Sequence, residues 1–169
     1  MKVLFKNRTI YTKRLYIEAQ EKWYKLNKQA TRFLAVVVGV FCLASACYYI
    51  SQQKYAAAVI FSAAVLAMIF VFFKGNYFQA VRAYNQQKNL FPENGFEWQF
   101  QKRGMCRRSG NYEKEYAYKD IQRIYLTRHT ICMIIEGSIH ILDKKGFENG
   151  MAPEFINWLI KQSPRAFRK

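Results

Sequence analysis

The sequence predicts an α+β membrane protein: a transmembrane helical hairpin, then a small antiparallel β-domain closed by a C-terminal helix. Three observations carry this. Two apolar runs free of charge, FLAVVVGVFCLASACYYI over 33–50 and YAAAVIFSAAVLAMIFVFF over 55–73, stand four residues apart. From Phe96 onward the apolar residues recur with a period of two, the spacing of a strand with one buried face. Near 153–162 the spacing turns helical again.

Each apolar run is about 27–29 Å long at about 1.5 Å rise per residue. That matches a hydrocarbon core of about 30 Å. Neither run holds Asp, Glu, Lys, Arg, His or Pro. The overall mean hydropathy of -0.21 hides them, because long charged flanks dilute the average. Only Ser51, Gln52, Gln53 and Lys54 separate the runs. Four residues do not reach across a bilayer, so the helices are expected antiparallel and both flanks on one side. Lys and Arg number 9 in residues 1–32, 1 in the loop and 17 in residues 74–169. Basic flanks stay inside. The expected localisation is the bacterial inner or cytoplasmic membrane, multi-pass, with both termini cytoplasmic.

The net charge of +16 follows the same division, with +7 before the first run, +1 in the loop and +8 after the second. In a soluble chain such an excess points to nucleic acid. Here positive-inside bias and attraction to anionic headgroups account for much of it. A cleaved signal peptide is disfavoured, although Ala44-Ser45-Ala46-Cys47 superficially resembles a processing site. The 32 preceding residues are long for an n-region, and cleavage would orphan the second helix. Cys42 and Cys47 fall in the first helix, Cys106 and Cys132 in the domain expected in the reducing cytoplasm. No CxxC and no zinc-type Cys/His spacing occurs, so all four read as small packing residues.

The organisation reads in four parts. Residues 1–32 are a cytoplasmic N-terminal segment, with a short edge strand at 2–6 (KVLFK) and a helix over 12–32. That helix either lies at the interface, with Trp23 and Tyr24 in the aromatic zone, or packs against the C-terminal domain. Residues 33–73 are the hairpin, 33–50 and 55–73. Ala35 and Gly39, and Ala63 and Ala67, recur four apart, a spacing that lets helices approach closely. Residues 74–91 continue helically as a linker, broken at Phe91-Pro92-Glu93-Asn94-Gly95. Residues 92–169 form the β-domain. Strands are expected at 96–101, 105–109, 112–118, 121–127, 130–136 and 139–143, joined by turns at 102–104, Gly110-Asn111 and Gly137-Ser138. Short turns of this kind make an antiparallel meander. Pro153 suits the first turn of the last helix, with Phe155, Ile156, Leu159 and Ile160 as its apolar face. About six strands and one closing helix outline a pleckstrin-homology-like (PH-like) fold.

Residues 118–147 carry a more specific pattern. Tyr118-Lys119-Asp120-Ile121 precedes an apolar strand pair, and Ile141-Leu142-Asp143-Lys144-Lys145-Gly146-Phe147 precedes the helix. With the two membrane helices and the linker, this resembles the YcxB-like proteins of bacteria. The family shows a Tyr-x-Asp-Ile element at the first place. At the second it shows an aliphatic residue, Pro, two basic residues, a small residue and Phe. Tyr118, Asp120, Ile121, Lys144, Lys145 and Phe147 match; Asp143 stands for the Pro and Gly146 for the usual Ala. The resemblance implies a membrane-anchored module with no assigned reaction.

The residues give no catalytic constellation. His129 and His140 are the two histidines, neither in HExxH nor beside a Cys or carboxylate at metal spacing. His140 alternates with Ile139 and Ile141 and is expected to face outward. No Gly-rich phosphate loop, GxSxG or paired-carboxylate motif occurs, and the apolar runs hold no acid or base of the kind ion coupling needs. We therefore expect no enzyme, no cofactor and no metal. Asp120 reads as a turn-fixing residue and Phe147 as a core plug. The candidate contact residues are basic: Lys102, Arg103, Arg107 and Arg108 in one hairpin, Lys144 and Lys145 after the last strand, with Arg165, Arg168 and Lys169 in the tail. Each basic residue near anionic headgroups contributes about 1 kcal/mol. The expected function is a non-enzymatic interaction module held at the cytoplasmic face, binding anionic lipid or a protein partner. Strand addition at a sheet edge is one route to the latter. The alternative is a regulator or immunity-type protein that inhibits a membrane-acting toxin or enzyme through its hairpin. A homo-oligomer is compatible with the sequence; nucleic acid is disfavoured.

Overall fold

The computed structural model describes residues 2–27 and 29–167, with only the backbone at 29–32 and 73. The chain divides into two compact units: residues up to Gln20 with those from Arg82 on, and Glu21–Val81.

The second unit is a helical hairpin of α2 (Gln29–Ser51) and the greater part of α3 (Tyr55–Gln87), as far as Val81, preceded by the end of α1 (Lys13–Asn27). Within it Phe33–Ser51 and Tyr55–Phe72 are long and apolar enough to cross a membrane. The turn between them has a defined geometry. Gln53 takes a positive φ of 60°. Lys54 N–H bonds the carbonyl of Tyr49 at 2.9 Å and Gln53 N–H that of Ile50 at 2.9 Å. Those two bonds around a left-handed residue cap α2 and satisfy carbonyls that the helix end leaves open. Tyr49 stacks on Phe61 across the hairpin at 5.5 Å. The small residues buried at the contact are Ala46 and Ala58. Gly39, expected to permit close approach, does not serve it: a Cβ built there meets nothing within 4 Å.

The first unit holds two antiparallel sheets. One has five strands in the order β4-β3-β2-β1-β8 and the other has three in the order β5-β6-β7. The strands are β1 (Val3–Thr9), β2 (Phe96–Gln101), β3 (Met105–Ser109), β4 (Tyr112–Tyr116), β5 (Ile121–Leu126), β6 (Thr130–Ile135), β7 (Ser138–Asp143) and β8 (Phe147–Asn149). The period-two reading thus matches six strands to within two residues at their ends. The N-terminal strand differs from expectation: it is longer, and it lies between β2 and β8 rather than at an edge. The division between units accordingly falls at 81/82, not in the 91–95 break, because β1 and the start of α1 are packed into the β unit.

The core lies between the sheets and under α4 (Ala152–Gln162). Trp98, Phe100 and Met105 from the first sheet meet Ile124, Ile131, Met133 and Leu142 from the second, and α4 inserts Phe155 and Leu159. Phe155 packs on Phe100 at 4.5 Å and on Phe147 at 4.9 Å. The Glu154 carboxylate accepts the Met151 N–H at 3.3 Å and caps α4, with Pro153 in the first turn where a missing N–H is harmless. The start of α1 buries Leu15, Tyr16, Ile17 and Ala19. Tyr125 Oη on β5 donates to the Ala19 carbonyl at 3.1 Å, so β6 is buried along its whole length. That double burial explains why TICMII reads as a continuous apolar run rather than an alternating one. The turn joining β6 to β7 is Glu136-Gly137, one residue earlier than the sequence suggests. Both residues have positive φ, 51° and 74°, the geometry that matches a two-residue hairpin to strand twist.

Candidate functional site

The six basic candidates do not form one patch. Lys102 and Arg103 are exposed in the turn between β2 and β3. Arg107 and Arg108 are consecutive on β3 and therefore point to opposite faces. On the outer face Arg108 pairs with Glu113 on β4, Nε to Oε2 at 3.0 Å. Lys6 on β1 bridges Glu97 at 3.3 Å and Glu148 at 2.9 Å. Gln99 donates to Glu97 at 2.8 Å. The outer face is thus a ladder of alternating charge that largely neutralises itself. Hydrogen bonds from Cys106 and Arg108 hold the Glu113 carboxyl below its ordinary range.

Arg107 lies on the inner face, its guanidinium 3.9 Å over the Phe96 ring. Lys144 directs Nζ at the carbonyls of Thr127 and Arg128, the latter at 3.3 Å, and so closes the β5–β6 turn. Lys145 stays exposed. Its backbone N–H bonds the Asp143 carboxylate at 2.9 Å. Arg165 is exposed, and Arg168 and Lys169 lie outside the described residues. Of the six, Lys102, Arg103 and Lys145 are therefore exposed without an ion pair among the described residues.

The motif residues shape the domain. The Asp120 carboxylate accepts the Ala117 N–H at 2.9 Å and fixes the turn between β4 and β5, in the manner expected of it. Tyr118 Oη lies 2.7 Å from the Gln101 carbonyl and 2.9 Å from that of Gly104, and burial pushes its phenol up. Ile121 enters the core and Phe147 packs against it. Gly146 is required by proximity: a Cβ there would stand 2.2 Å from the Arg8 carbonyl oxygen.

His140 corrects an expectation. It faces inward, only 5% exposed, because it shares a strand face with core Leu142, two residues on. Its ring meets Trp98 edge-on at 5.2 Å and Tyr116 at 5.7 Å. Burial, with the charges of Arg107 and Lys114, pushes its pKa down to about 4. Tyr112, grouped by parity with Tyr116, is 64% exposed at the sheet edge. His129 has a role the sequence does not signal. Glu18 of α1 accepts its backbone N–H at 2.9 Å and faces its ring Nδ1 at 2.7 Å. Arg14 lies 3.0 Å from Nε2. A guanidinium only donates, so Nε2 accepts and Nδ1 carries the proton toward Glu18. Burial opposes the charge on Glu18, but bonds from Thr127 and His129 outweigh it and lower its pKa. This cluster ties α1 to the β5–β6 turn.

Burial pushes the Cys106 thiol up to about 11 and the Cys132 thiol up to about 12, so neither is a ready nucleophile. Among the described residues no three His, Cys, Asp or Glu side chains gather as a metal site. A shallow hollow lined by Arg103, Met105, Glu115 and Asp120 borders β4. It brings one basic candidate beside two carboxylates.

No curated protein and no solved structure matches this chain. Residues 93–159 do match the family model described as YcxB-like protein, so the part of the chain that runs from β2 into α4 carries the YcxB-like pattern that the Tyr118–Phe147 motifs imply.

Proposed function

We propose that this chain is a membrane-anchored, non-enzymatic interaction module that holds a PH-like β-domain at the cytoplasmic face to engage anionic lipid or a protein partner. One observation carries the anchoring. Of the two apolar spans only 6% and 11% of residues are buried by protein. A core helix of a soluble protein would have its apolar surface covered by its own chain; these expose Phe33, Val40, Phe41, Ile60, Leu66 and Phe70 on many sides. A bilayer is the solvent that accepts such a surface. The Lys and Arg excess on both flanks then sets the flanks inside. For contact with headgroups, Lys102, Arg103 and Lys145 are favoured over Arg108, which Glu113 already neutralises.

Orientation is tested by labelling intact cells with a membrane-impermeant maleimide. Gln52→Cys should label from outside and Lys102→Cys only after permeabilisation; the reverse pattern overturns the topology. Headgroup contact is tested in nanodiscs with a fluorophore at Asn111→Cys and a quencher in the lipid headgroups. Quenching should rise with anionic lipid, fall with salt, and drop in Lys102→Glu/Arg103→Glu. Equal quenching in both proteins removes the lipid assignment and leaves a protein partner.

The alternative, a regulator or immunity-type protein acting through its hairpin, has one observation behind it. An apolar groove of about 250 Å³ runs between α2 and α3, lined by Ala35, Gly39, Leu43, Val65 and Met68. Replacing the hairpin with an unrelated one abolishes function in that case and spares it in the first.

A further inference from the structure

The first two turns of α4 border an open hollow of about 450 Å³, lined by Lys144 from the β7–β8 turn and by Ala152, Pro153, Ile156 and Asn157. Binding pockets typically enclose about 300–1,000 Å³. The lining follows from helical spacing. Ala152 and Ile156 stand four residues apart, as do Pro153 and Asn157, so two adjoining rows of the helix face the hollow. Phe155 and Leu159 form the next row and lie in the core. Ala152 and Ile156 are only partly buried and pack against that core. The hollow therefore reaches the edge of the core, with an apolar floor. Pro153 and Asn157 are exposed, and the Asn157 amide both donates and accepts hydrogen bonds.

Lys144 brings a cation to this apolar floor. Its Nζ donates to the Thr127 and Arg128 carbonyls. An ammonium has three N–H groups, so one is left over. The two carbonyls hold the ammonium in place without neutralising it. Among the described residues no carboxylate pairs with Lys144, and Lys145, next in the chain, is exposed and also unpaired. The acids adjoining in sequence are engaged by the backbone. The Asp143 carboxylate accepts the Lys145 N–H at 2.9 Å, and the Glu154 carboxylate the Met151 N–H at 3.3 Å. The complement of an apolar floor with an uncompensated positive wall is an apolar group that carries an anion beside it. A bilayer surface presents its anions in a plane, with its apolar chains behind them, so a lipid chain would have to leave the bilayer to fill the hollow. A peptide carries both groups on neighbouring side chains.

We propose that the hollow between the β7–β8 turn and α4 takes an apolar side chain from an acidic peptide segment of a protein partner, with Lys144 meeting a carboxylate beside it. The Asn157 amide at the rim is placed for the peptide backbone. The inference rests on reading the β-domain as an interaction module, and it names the site and the chemistry of the partner. The site belongs to the β unit alone.

The test uses the full chain in phosphatidylcholine nanodiscs and the fluorescence anisotropy of three fluorescein-labelled peptides. Glu-Glu-Phe-Glu-Glu should bind saturably and weaken with salt. Glu-Glu-Ser-Glu-Glu should bind about tenfold more weakly or worse, having lost the apolar anchor, and Lys-Lys-Phe-Lys-Lys should not bind. Asn157→Trp fills the hollow from an exposed position and leaves the charges in place; it should weaken binding by about tenfold. Lys144→Gln removes the charge and should do the same, with Lys145→Gln as the charge variant if Lys144→Gln loosens the β5–β6 turn and fails to fold. Lys102→Glu/Arg103→Glu should bind the first peptide as the parent does. Equal binding of the Phe and Ser peptides, or undiminished binding in Asn157→Trp, overturns the proposal. So does a loss of headgroup quenching in Asn157→Trp, which assigns the hollow to lipid. The same quenching separates the two readings: a chain that ignores the peptides but still answers anionic lipid loses the hollow and keeps the module, and one that answers neither loses both.

Discussion

The chain enters the β unit at β1 and is held there by one buried amide, which makes Asn7→Ala an informative perturbation. Asn7 is 0% exposed. Its Nδ2 donates to the Asp143 carbonyl at 2.8 Å, and its Oδ1 accepts from the Thr9 hydroxyl at 2.7 Å. The Thr9 hydroxyl in turn accepts the Asp143 N–H at 2.8 Å. Three residues thus join β1 to the end of β7, and therefore one sheet to the other. Truncation to Ala leaves the Asp143 carbonyl and the Thr9 proton without partners, each a buried polar group worth about 1–3 kcal/mol when unsatisfied. A loss of about 3 kcal/mol is expected. At about 4–8 °C per kcal/mol for a unit of this size, the melting temperature should fall by roughly 12–24 °C.

The assay is thermal unfolding of the full chain in maltoside micelles, with amide hydrogen exchange of β1 and β7 as a local readout. Lys2→Ala is the control: Lys2 is exposed, and such a change stays within about 0.5 kcal/mol. Asn7→Ala should also speed exchange in β1 and at the end of β7 together, because the network spans both. An Asn7→Ala protein that melts with the Lys2→Ala control refutes the reasoning. So does one that melts early while β1 keeps its protection, since β1 would then be held by something else.

Three further outcomes follow from the same geometry. Gly146→Ala brings a Cβ to 2.2 Å from the Arg8 carbonyl and strains the 2.8 Å bond from Arg8 N–H to the Gly146 carbonyl; overpacking of this kind costs about 1–3 kcal/mol, read as a lower melting temperature. Asp120→Ala removes the acceptor for the Ala117 N–H and should cost about 1 kcal/mol, as lost caps do, with Asp120→Asn restoring most of it in the same assay. His140 makes stability depend on pH: its pKa falls from 6.5 to about 4 on folding, so between those values the unfolded chain binds a proton that the folded one refuses. Stability present above pH 6.5 is then lost progressively as pH falls toward 4, and melting at pH 7.5 and pH 5 should differ less in His140→Gln than in the parent.

What the sequence makes legible is what depends on local period. Six strands and α4 follow from alternation and turn residues because β2, β3 and β4 pair in chain order, as do β5, β6 and β7; the expected single meander breaks between β4 and β5, which lie in different sheets. Burial of a single side chain is harder to read. His140 looks outward only if Ile139 and Ile141 are taken as the core pair; with Leu142 as reference it points in, and the continuous apolar run of β6 is the sign that both faces of that sheet are covered. The basic hairpin misleads for the same reason. Four basic residues within 102–108 look like one patch, yet Arg107 and Arg108 must part to opposite faces. Glu113, which neutralises Arg108, comes from the next strand. The Glu18–His129 contact joins residues 111 apart, and no local pattern reports it.

The N-terminal strand shows this limit at its largest. Thr9 pairs with Phe96 across the antiparallel β1–β2 ladder, so the helices α1, α2 and α3 are an insertion between two strands that are neighbours in the sheet. Read along the chain, residues 1–32, the hairpin and the β-domain look like three successive parts. Read by pairing, they are one β unit interrupted by a helical hairpin. The entropy of closing so long a connection grows only logarithmically with its length, so the sheet tolerates the insertion. The consequence falls on the order of events. β1 is made first, but its partner β2 exists only after both apolar helices have been made, and long-range pairings of this kind form late. The chain leaves the β unit after β1 and re-enters it at β2, two strands of one paired ladder, and both strands must be in place for the sheet to be complete.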